Sequence, residues 1–107
     1  SFESLQKLKK DQIVFALNPR TNYLIDQFQS YIKSMDQEDR NVLFAVFDGN
    51  KDENQINKYL KKRNVKLSKD VNQILEKLRD LKVIDEYNNI NEIGNIVATI
   101  LKLIPDL

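Results

Sequence analysis

Cysteine and histidine are both absent from this chain of 107 residues. Without cysteine there are no disulfides and no thiolate zinc sites, and without histidine there are no imidazole metal ligands. Nucleophiles activated by a Ser-His or Cys-His pair are excluded for the same reason. Glycine is present only at positions 49 and 94, which excludes a Walker-type phosphate loop and a dinucleotide-binding glycine motif. We therefore expect no cofactor, no metal and no catalysis here, and any enzymatic motor would belong to a longer parent protein.

Three residues, Asp48, Asn50 and Asp52, alternate along the chain as calcium ligands do in an EF-hand loop. That loop needs glycine at its sixth position and a bidentate glutamate at its twelfth, where this chain has Glu53 and Tyr59. The alternating polar residues are therefore interpreted as turn and helix-capping residues.

Glycine and proline, two residues each, are too few for the turns of an all-β domain with many hairpins. Apolar residues make up 41% of the chain and charged residues 31%, which fits one globular domain. No apolar stretch reaches the ~18 to 20 residues that span a bilayer, and the longest, residues 93–104, is interrupted by Asn95, Thr99 and Lys102. The sequence thus predicts a mainly helical single domain over residues 1–107 that does not contact a membrane.

The N-terminal third of the chain divides at Asn18-Pro19. Before it, residues 3–10 form a short charged segment, and the apolar run at residues 13–17 fits either a strand or a buried helical turn. After it, Thr21 is expected to cap a helix with apolar residues on one face. These residues are Tyr23, Leu24, Phe28, Tyr31, Ile32 and Met35.

Four further helices are predicted, each after a residue that favours the N-cap position. The caps are Asp36, Asp52, Ser68 and Asn91. Between the last two helices, residues 83–87 read as a strand, and Asn88-Asn89 tolerates the left-handed backbone of a tight turn. Ile90 then begins a returning strand, and Pro105 ends the last helix.

Residues 40–101 therefore read helix, helix, short turn, helix, short β-hairpin, helix. The segments Glu53-Asn-Gln-Ile-Asn-Lys-Tyr-Leu60, Val71-Asn-Gln-Ile-Leu-Glu-Lys-Leu78 and Leu81-Lys-Val-Ile84 place apolar residues as MarR- and ArsR-type regulators do. Asn91-Glu-Ile-Gly94-Asn-Ile-Val is similar to the helix opening that follows the wing in such proteins, although Lys82 stands where many members have glycine.

The chain thus resembles the winged helix-turn-helix domain, which regulators share with C-terminal domains of archaeal and replication-type ATPases. The resemblance implies a mainly α fold with a winged helix-turn-helix core at residues 36–104 and a short two-stranded wing. Residues 1–35 would form an additional N-terminal helical extension.

Six cations and no acidic residue lie between positions 58 and 69, although the net charge of the whole chain is +1. This cluster predicts a local positive potential. Five of its members are expected to contact DNA phosphates: Lys58, Lys61, Lys62, Arg63 and Lys66. On the helix after Ser68, the expected base contacts are Lys69, Asn72, Gln73 and Lys77. In the wing, Asn88 and Asn89 would reach the minor groove.

These residues favour a double-stranded DNA-binding domain of a larger replication, segregation or transcription protein, located in the cytoplasm or on the nucleoid. The alternative is a protein-interaction or assembly module of the same fold that binds a second copy or another subunit. Two observations favour it: the net charge of the chain is close to neutral, and the helix that carries the expected base contacts is poor in arginine and contains Asp70, Glu76 and Asp80, which repel phosphate.

Overall fold

The computed structural model describes residues 19–107, which contain five α-helices. They are α1 Pro19–Ser34, α2 Gln37–Phe47, α3 Glu53–Lys62, α4 Val71–Asp80 and α5 Glu92–Leu103. The mainly helical fold is thereby confirmed. The expectations for residues 3–10 and 13–17 lie outside the described residues. None of the helices in the described range has the length and apolar character needed to cross a bilayer.

Three of the predicted N-caps are confirmed. Asp36 accepts a hydrogen bond from the Asp39 N–H at 2.9 Å, and the Asp39 side chain accepts one from the Asp36 N–H at 2.9 Å, which forms a capping box for α2. Asp52 caps α3. Asn91 caps α5 by accepting a hydrogen bond from the Gly94 N–H at 2.8 Å.

Two predicted helix starts are wrong. Helix α1 begins at Pro19, two residues before Thr21, because the fixed φ of proline suits the first turn of a helix. Helix α4 is capped by Asp70, whose side chain accepts the Asn72 N–H at 2.7 Å. Ser68 does not cap α4, because a glutamate of α2 accepts hydrogen bonds from both its N–H and its hydroxyl.

The core forms around α2, which packs against α3, α4 and α5, while α1 packs against α5. Each helix directs an apolar stripe inward, as its three- and four-residue spacing requires. The most deeply buried side chains are Ile32, Val42, Leu43, Ile56, Ile74, Leu75, Leu78, Val83, Val97, Ile100 and Leu101. Burying one such side chain stabilises the fold by about 1.5–3 kcal/mol, so this stripe pattern fixes the packing of α3 and α4 against α2.

The predicted two-stranded wing is not confirmed. Within residues 19–107, the segment between α4 and α5 contains a single antiparallel bridge, which pairs Ile84 with Ile90. Two backbone hydrogen bonds flank the bridge, from the Asp85 N–H to the carbonyl of Asn89 at 2.8 Å and from the Asn91 N–H to the carbonyl of Val83 at 3.2 Å.

The hairpin is short because its turn closes immediately after Ile84. The carboxylate of Asp85 accepts hydrogen bonds from the N–H groups of Tyr87 and Asn89, both at 2.8 Å, and Asn88 adopts a left-handed φ of 62°. Residues 86 and 87, expected in the first strand, therefore lie in the turn.

Candidate nucleic-acid interface

The six cations between positions 58 and 69, here called the cationic corner, occupy the end of α3 and its connection to α4. The chain leaves α3 through Asn64, which has a left-handed φ of 56°, and the Val65 N–H bonds to the carbonyl of Leu60 at 3.0 Å. Val65 and Leu67 pack partly against the core, whereas Lys66 between them is exposed. The connection is thus anchored by its apolar residues and presents its lysines outward.

The structure divides the cationic corner between two opposite faces of α3. A groove of about 520 Å³ lies between α3, the connection and the start of α4, and its lining includes Lys61, Lys66 and Lys69. The acidic residues Glu53 and Asp70 line the same groove. A pocket of about 240 Å³ lies on the other side of α3 against the α2–α3 loop; we call it the α3 pocket. Its lining consists of Gly49, Asn50, Gln55, Lys58, Tyr59, Lys62 and Arg63.

Four members of the cationic corner are exposed and form no ion pair within residues 19–107. They are Lys58, Lys61, Lys62 and Lys66. Arg63 is also exposed, but its guanidinium lies 3.5 Å from the centre of the Tyr59 ring and donates a hydrogen bond to the Tyr59 carbonyl at 3.2 Å. These five residues, all expected phosphate contacts, therefore remain accessible to an anion.

Two of the expected base contacts are held by the chain's own carboxylates. Lys69 Nζ lies 2.7 Å from Asp36 and 3.0 Å from Asp39, and Lys77 Nζ lies 2.6 Å from Asp39. The Asp39 side chain is completely buried. We call these four residues the acid–lysine cluster. It joins the start of α2 to α4, so Lys69 and Lys77 have structural partners before any ligand arrives.

The acid–lysine cluster stabilises the charged forms of Asp36 and Lys69. Hydrogen bonds from Lys69 and from the Asp39 N–H lower the pKa of Asp36 to about 2. Hydrogen bonds to Asp36 and Asp39 raise the pKa of Lys69 above its ordinary value. The sequence carries no local signal for this role of Asp39, because its lysine partners lie 30 and 38 residues away.

The two remaining base-contact candidates lie at the exposed start of α4. Asn72 Nδ2 donates a hydrogen bond to Glu53 at 3.0 Å. Gln73 is exposed, and its side chain makes no hydrogen bond within residues 19–107. Further along the helix, the exposed residues are Glu76 and Asp80. The outward face of α4 is therefore polar and carries two acidic groups.

The asparagines of the expected wing hold the turn in place. Asn88 accepts a hydrogen bond from Arg79 Nη1 at 2.6 Å and donates one to the carbonyl of Lys51 at 2.9 Å. Asn89 donates to Asp85 at 3.2 Å. These contacts tie the turn to α4 and to the α2–α3 loop. Comparison with known proteins adds no further evidence, because the chain matches no family model, no curated protein and no solved structure.

Proposed function

We propose that this domain binds double-stranded DNA, chiefly through its phosphate backbone. The observation that carries the proposal is the set of four exposed lysines without ion pairs within residues 19–107: Lys58, Lys61, Lys62 and Lys66. Their ammonium groups project from one helix end and one short connection. Lysine and arginine contacts of this kind supply most of the sequence-independent affinity for DNA.

The order of the helices supports a helix-turn-helix mode of docking. In that mode, the second helix of the motif enters the major groove and the first lies against the backbone. Helix α4 would enter the major groove and helix α3 would lie against the backbone, with α2 behind them. As part of the same proposal, the turn before α5, which has one bridge, would take the place of the wing of a winged helix-turn-helix domain.

Base recognition by α4 is expected to be weak. To reach a base, Lys69 and Lys77 would have to leave Asp36 and Asp39. The buried Asp39 carboxylate would then lose its cationic partners, and its desolvation penalty would no longer be compensated. Phosphate contacts position a protein on DNA but carry no sequence information. We therefore expect binding with little sequence preference. The remaining base contacts would come from Asn72 and Gln73.

Charge reversal tests the proposal. We expect Lys61→Glu to weaken binding to a short random duplex at low salt by about tenfold, because it replaces a phosphate contact with a repulsive charge. Lys33→Glu is the matched control, since Lys33 lies in the last turn of α1 as Lys61 does in the last turn of α3. Fluorescence anisotropy with a labelled duplex measures both affinities. Equal affinities for the two variants, or no binding by the unmodified chain, would overturn the proposal.

One observation favours the alternative of an assembly module. A shallow groove of about 220 Å³ between α1 and α5 is lined by Leu24, Ile96 and Ile100, with Asn95 and Thr99 at its edge. Apolar surface of this kind is typical of protein contacts. Sedimentation of the chain over a range of concentrations tests the self-assembling form of this alternative, because a chain that binds a second copy gains mass with concentration in the absence of DNA.

A further inference from the structure

The α3 pocket, defined above, concentrates positive charge, and no acidic residue among residues 19–107 lines it. Three of its seven lining residues are cationic, namely Lys58, Lys62 and Arg63. The groove on the opposite face differs, because Glu53 and Asp70 are part of its lining. The α3 pocket is therefore the more strongly anion-attracting of the two concavities.

The three cations of the α3 pocket line the same concavity. Lys58 and Lys62 are four residues apart in α3, so their side chains lie on the same side of the helix. Arg63 is held over the Tyr59 ring at 3.5 Å and is fixed by a hydrogen bond to the Tyr59 carbonyl. A guanidinium that is already ordered loses less side-chain entropy when it binds an anion.

The acidic residue next to the pocket is occupied by internal partners. The Tyr59 hydroxyl donates a hydrogen bond to Asp48, and Lys102 Nζ lies 3.1 and 3.3 Å from the two Asp48 oxygens. Partial burial opposes the effect, but these hydrogen bonds lower the pKa of Asp48 overall. Asp48 is thus hydrogen-bonded to Tyr59 and Lys102, and its charge also interacts with Arg63 at the edge of the pocket. At the neighbouring Gly49, a Cβ would meet no atom of a non-adjacent residue among residues 19–107 within 4 Å.

We infer that the α3 pocket is a binding site for a phosphate group. The guanidinium of Arg63 can donate two parallel hydrogen bonds to phosphate oxygens, while Lys58 and Lys62 act as point charges that attract the anionic group. The ligand is either a free phosphorylated small molecule or a phosphate of the DNA backbone. The inference is independent of the groove on the opposite face of α3.

Titration of the complete chain with pyrophosphate, followed by amide NMR, tests this inference. We expect saturable shifts centred on Gly49, Tyr59 and Arg63, which sodium chloride at the same ionic strength does not reproduce. The Lys58→Gln/Lys62→Gln variant should bind pyrophosphate about tenfold more weakly, because two charge-assisted contacts are lost. Arg63→Lys should also weaken binding, because it keeps the charge and loses the planar donor pair.

The matched control is Lys61→Gln/Lys66→Gln, which removes the same charge from the groove. We expect it to change pyrophosphate affinity by less than about twofold, since exposed charges on the other face of α3 are screened. Equal losses in the two double variants, or shifts that sodium chloride reproduces, would overturn the inference.

A short DNA duplex then identifies the source of the phosphate. If the pocket takes a backbone phosphate, pyrophosphate displaces the duplex, and both double variants bind the duplex more weakly. If the pocket takes a small phosphorylated ligand, duplex and pyrophosphate bind together without competition. Both results support the phosphate site. Absence of duplex binding with pyrophosphate binding intact would overturn the proposed function alone.

Discussion

At the scale of single residues, Gly94 shows how closely α5 approaches the bridged turn. A Cβ at this position would lie 2.0 Å from the carbonyl oxygen of Val83 and 2.7 Å from Cγ1 of Ile90. The Val83 carbonyl cannot move away without lengthening the hydrogen bond that it accepts from the Asn91 N–H beside the bridge. Gly94 is therefore a packing requirement of the α5 start.

We expect Gly94→Ala to lower the free energy of unfolding by at least about 2 kcal/mol, as overpacking in a tight contact does. Urea unfolding followed by far-ultraviolet circular dichroism measures the loss. Asn95→Ala, at the next and exposed position, should stay within about 0.5 kcal/mol of the parent chain. A Gly94→Ala variant as stable as Asn95→Ala would contradict this explanation, because it would mean that the turn shifts at little cost in free energy.

Lys82, in contrast to Gly94, carries a side chain where the backbone favours glycine, since it adopts a left-handed φ of 64° just after α4. Its N–H bonds to the Arg79 carbonyl at 3.0 Å, and the next N–H bonds to Leu78 at 3.2 Å, so the helix end enforces this conformation. A residue with a Cβ is disfavoured there by roughly 1 kcal/mol, whereas glycine is not. Many of the MarR- and ArsR-type regulators named above have glycine at this position.

Lys82→Gly is accordingly expected to raise the free energy of unfolding by about 0.5–1 kcal/mol. The control is Lys82→Ala, which removes the same charge and keeps the Cβ. A gain in Lys82→Ala equal to that in Lys82→Gly would assign the effect to charge and contradict the backbone explanation. Chemical denaturation of the three proteins in parallel measures the differences.

At the scale of elements, the acid–lysine cluster joins α2 to α4 and makes this contact sensitive to acid. The pKa of Asp36 is about 2 in the folded chain against an ordinary 3.8, and a hydrogen bond from Ser68 also lowers the pKa of Glu38. Because a depressed carboxyl pKa means that the unfolded chain binds protons first, its stabilisation is complete above the ordinary pKa. It is lost as the pH falls through the folded value.

We expect the free energy of unfolding to be nearly constant just above pH 4.5 and to fall as the pH decreases toward 2. Urea unfolding at a series of pH values measures this slope. Asp36→Asn should flatten it, and Asp26→Asn, on the exposed face of α1, should not. The same slope in both variants would remove Asp36 from the explanation.

Local signals predict the helices, whereas long-range contacts decide the rest. The apolar spacing of α4 and the caps Asp36, Asp52 and Asn91 involve residues no more than four positions apart, which the sequence displays directly. Ser68 has the correct chemistry for a cap, but Glu38, 30 residues away, binds it instead. The two-stranded wing is not confirmed, because β-propensity at residues 83–87 does not report the turn that the Asp85 side chain closes.

The candidate site divides in the same way. The run of cations is visible in the sequence, and so is the i, i+4 spacing that places Arg63 over Tyr59. The separation of Lys58 and Lys62 from Lys61 and Lys66 follows from helical periodicity, yet it becomes a separation of sites only when the α2–α3 loop closes one side. The capture of Lys69 and Lys77 has no local signal, because it depends on how α2 packs against α4.

At the scale of the whole molecule, near-neutral net charge does not cancel the cationic corner. The described part of the chain measures 37 × 27 × 21 Å, whereas charges at physiological salt are screened beyond about 8 Å. A polyanion that approaches the end of α3 therefore interacts with the local lysines and hardly with acids at the far end. If the domain binds DNA as proposed, local charge and not the net charge of +1 should set the affinity.

This argument predicts the salt dependence of DNA binding. If the four lysines without ion pairs within residues 19–107 each neutralise one phosphate, the logarithm of the association constant should fall against the logarithm of salt concentration with a slope of about −3.6. Lys61→Glu should reduce that slope by about one unit, and Lys33→Glu should leave it unchanged. Anisotropy titrations at several salt concentrations give the slopes. A slope near zero in the unmodified chain would mean that the bound surface is not the cationic corner, because counterion release follows directly from phosphate contacts.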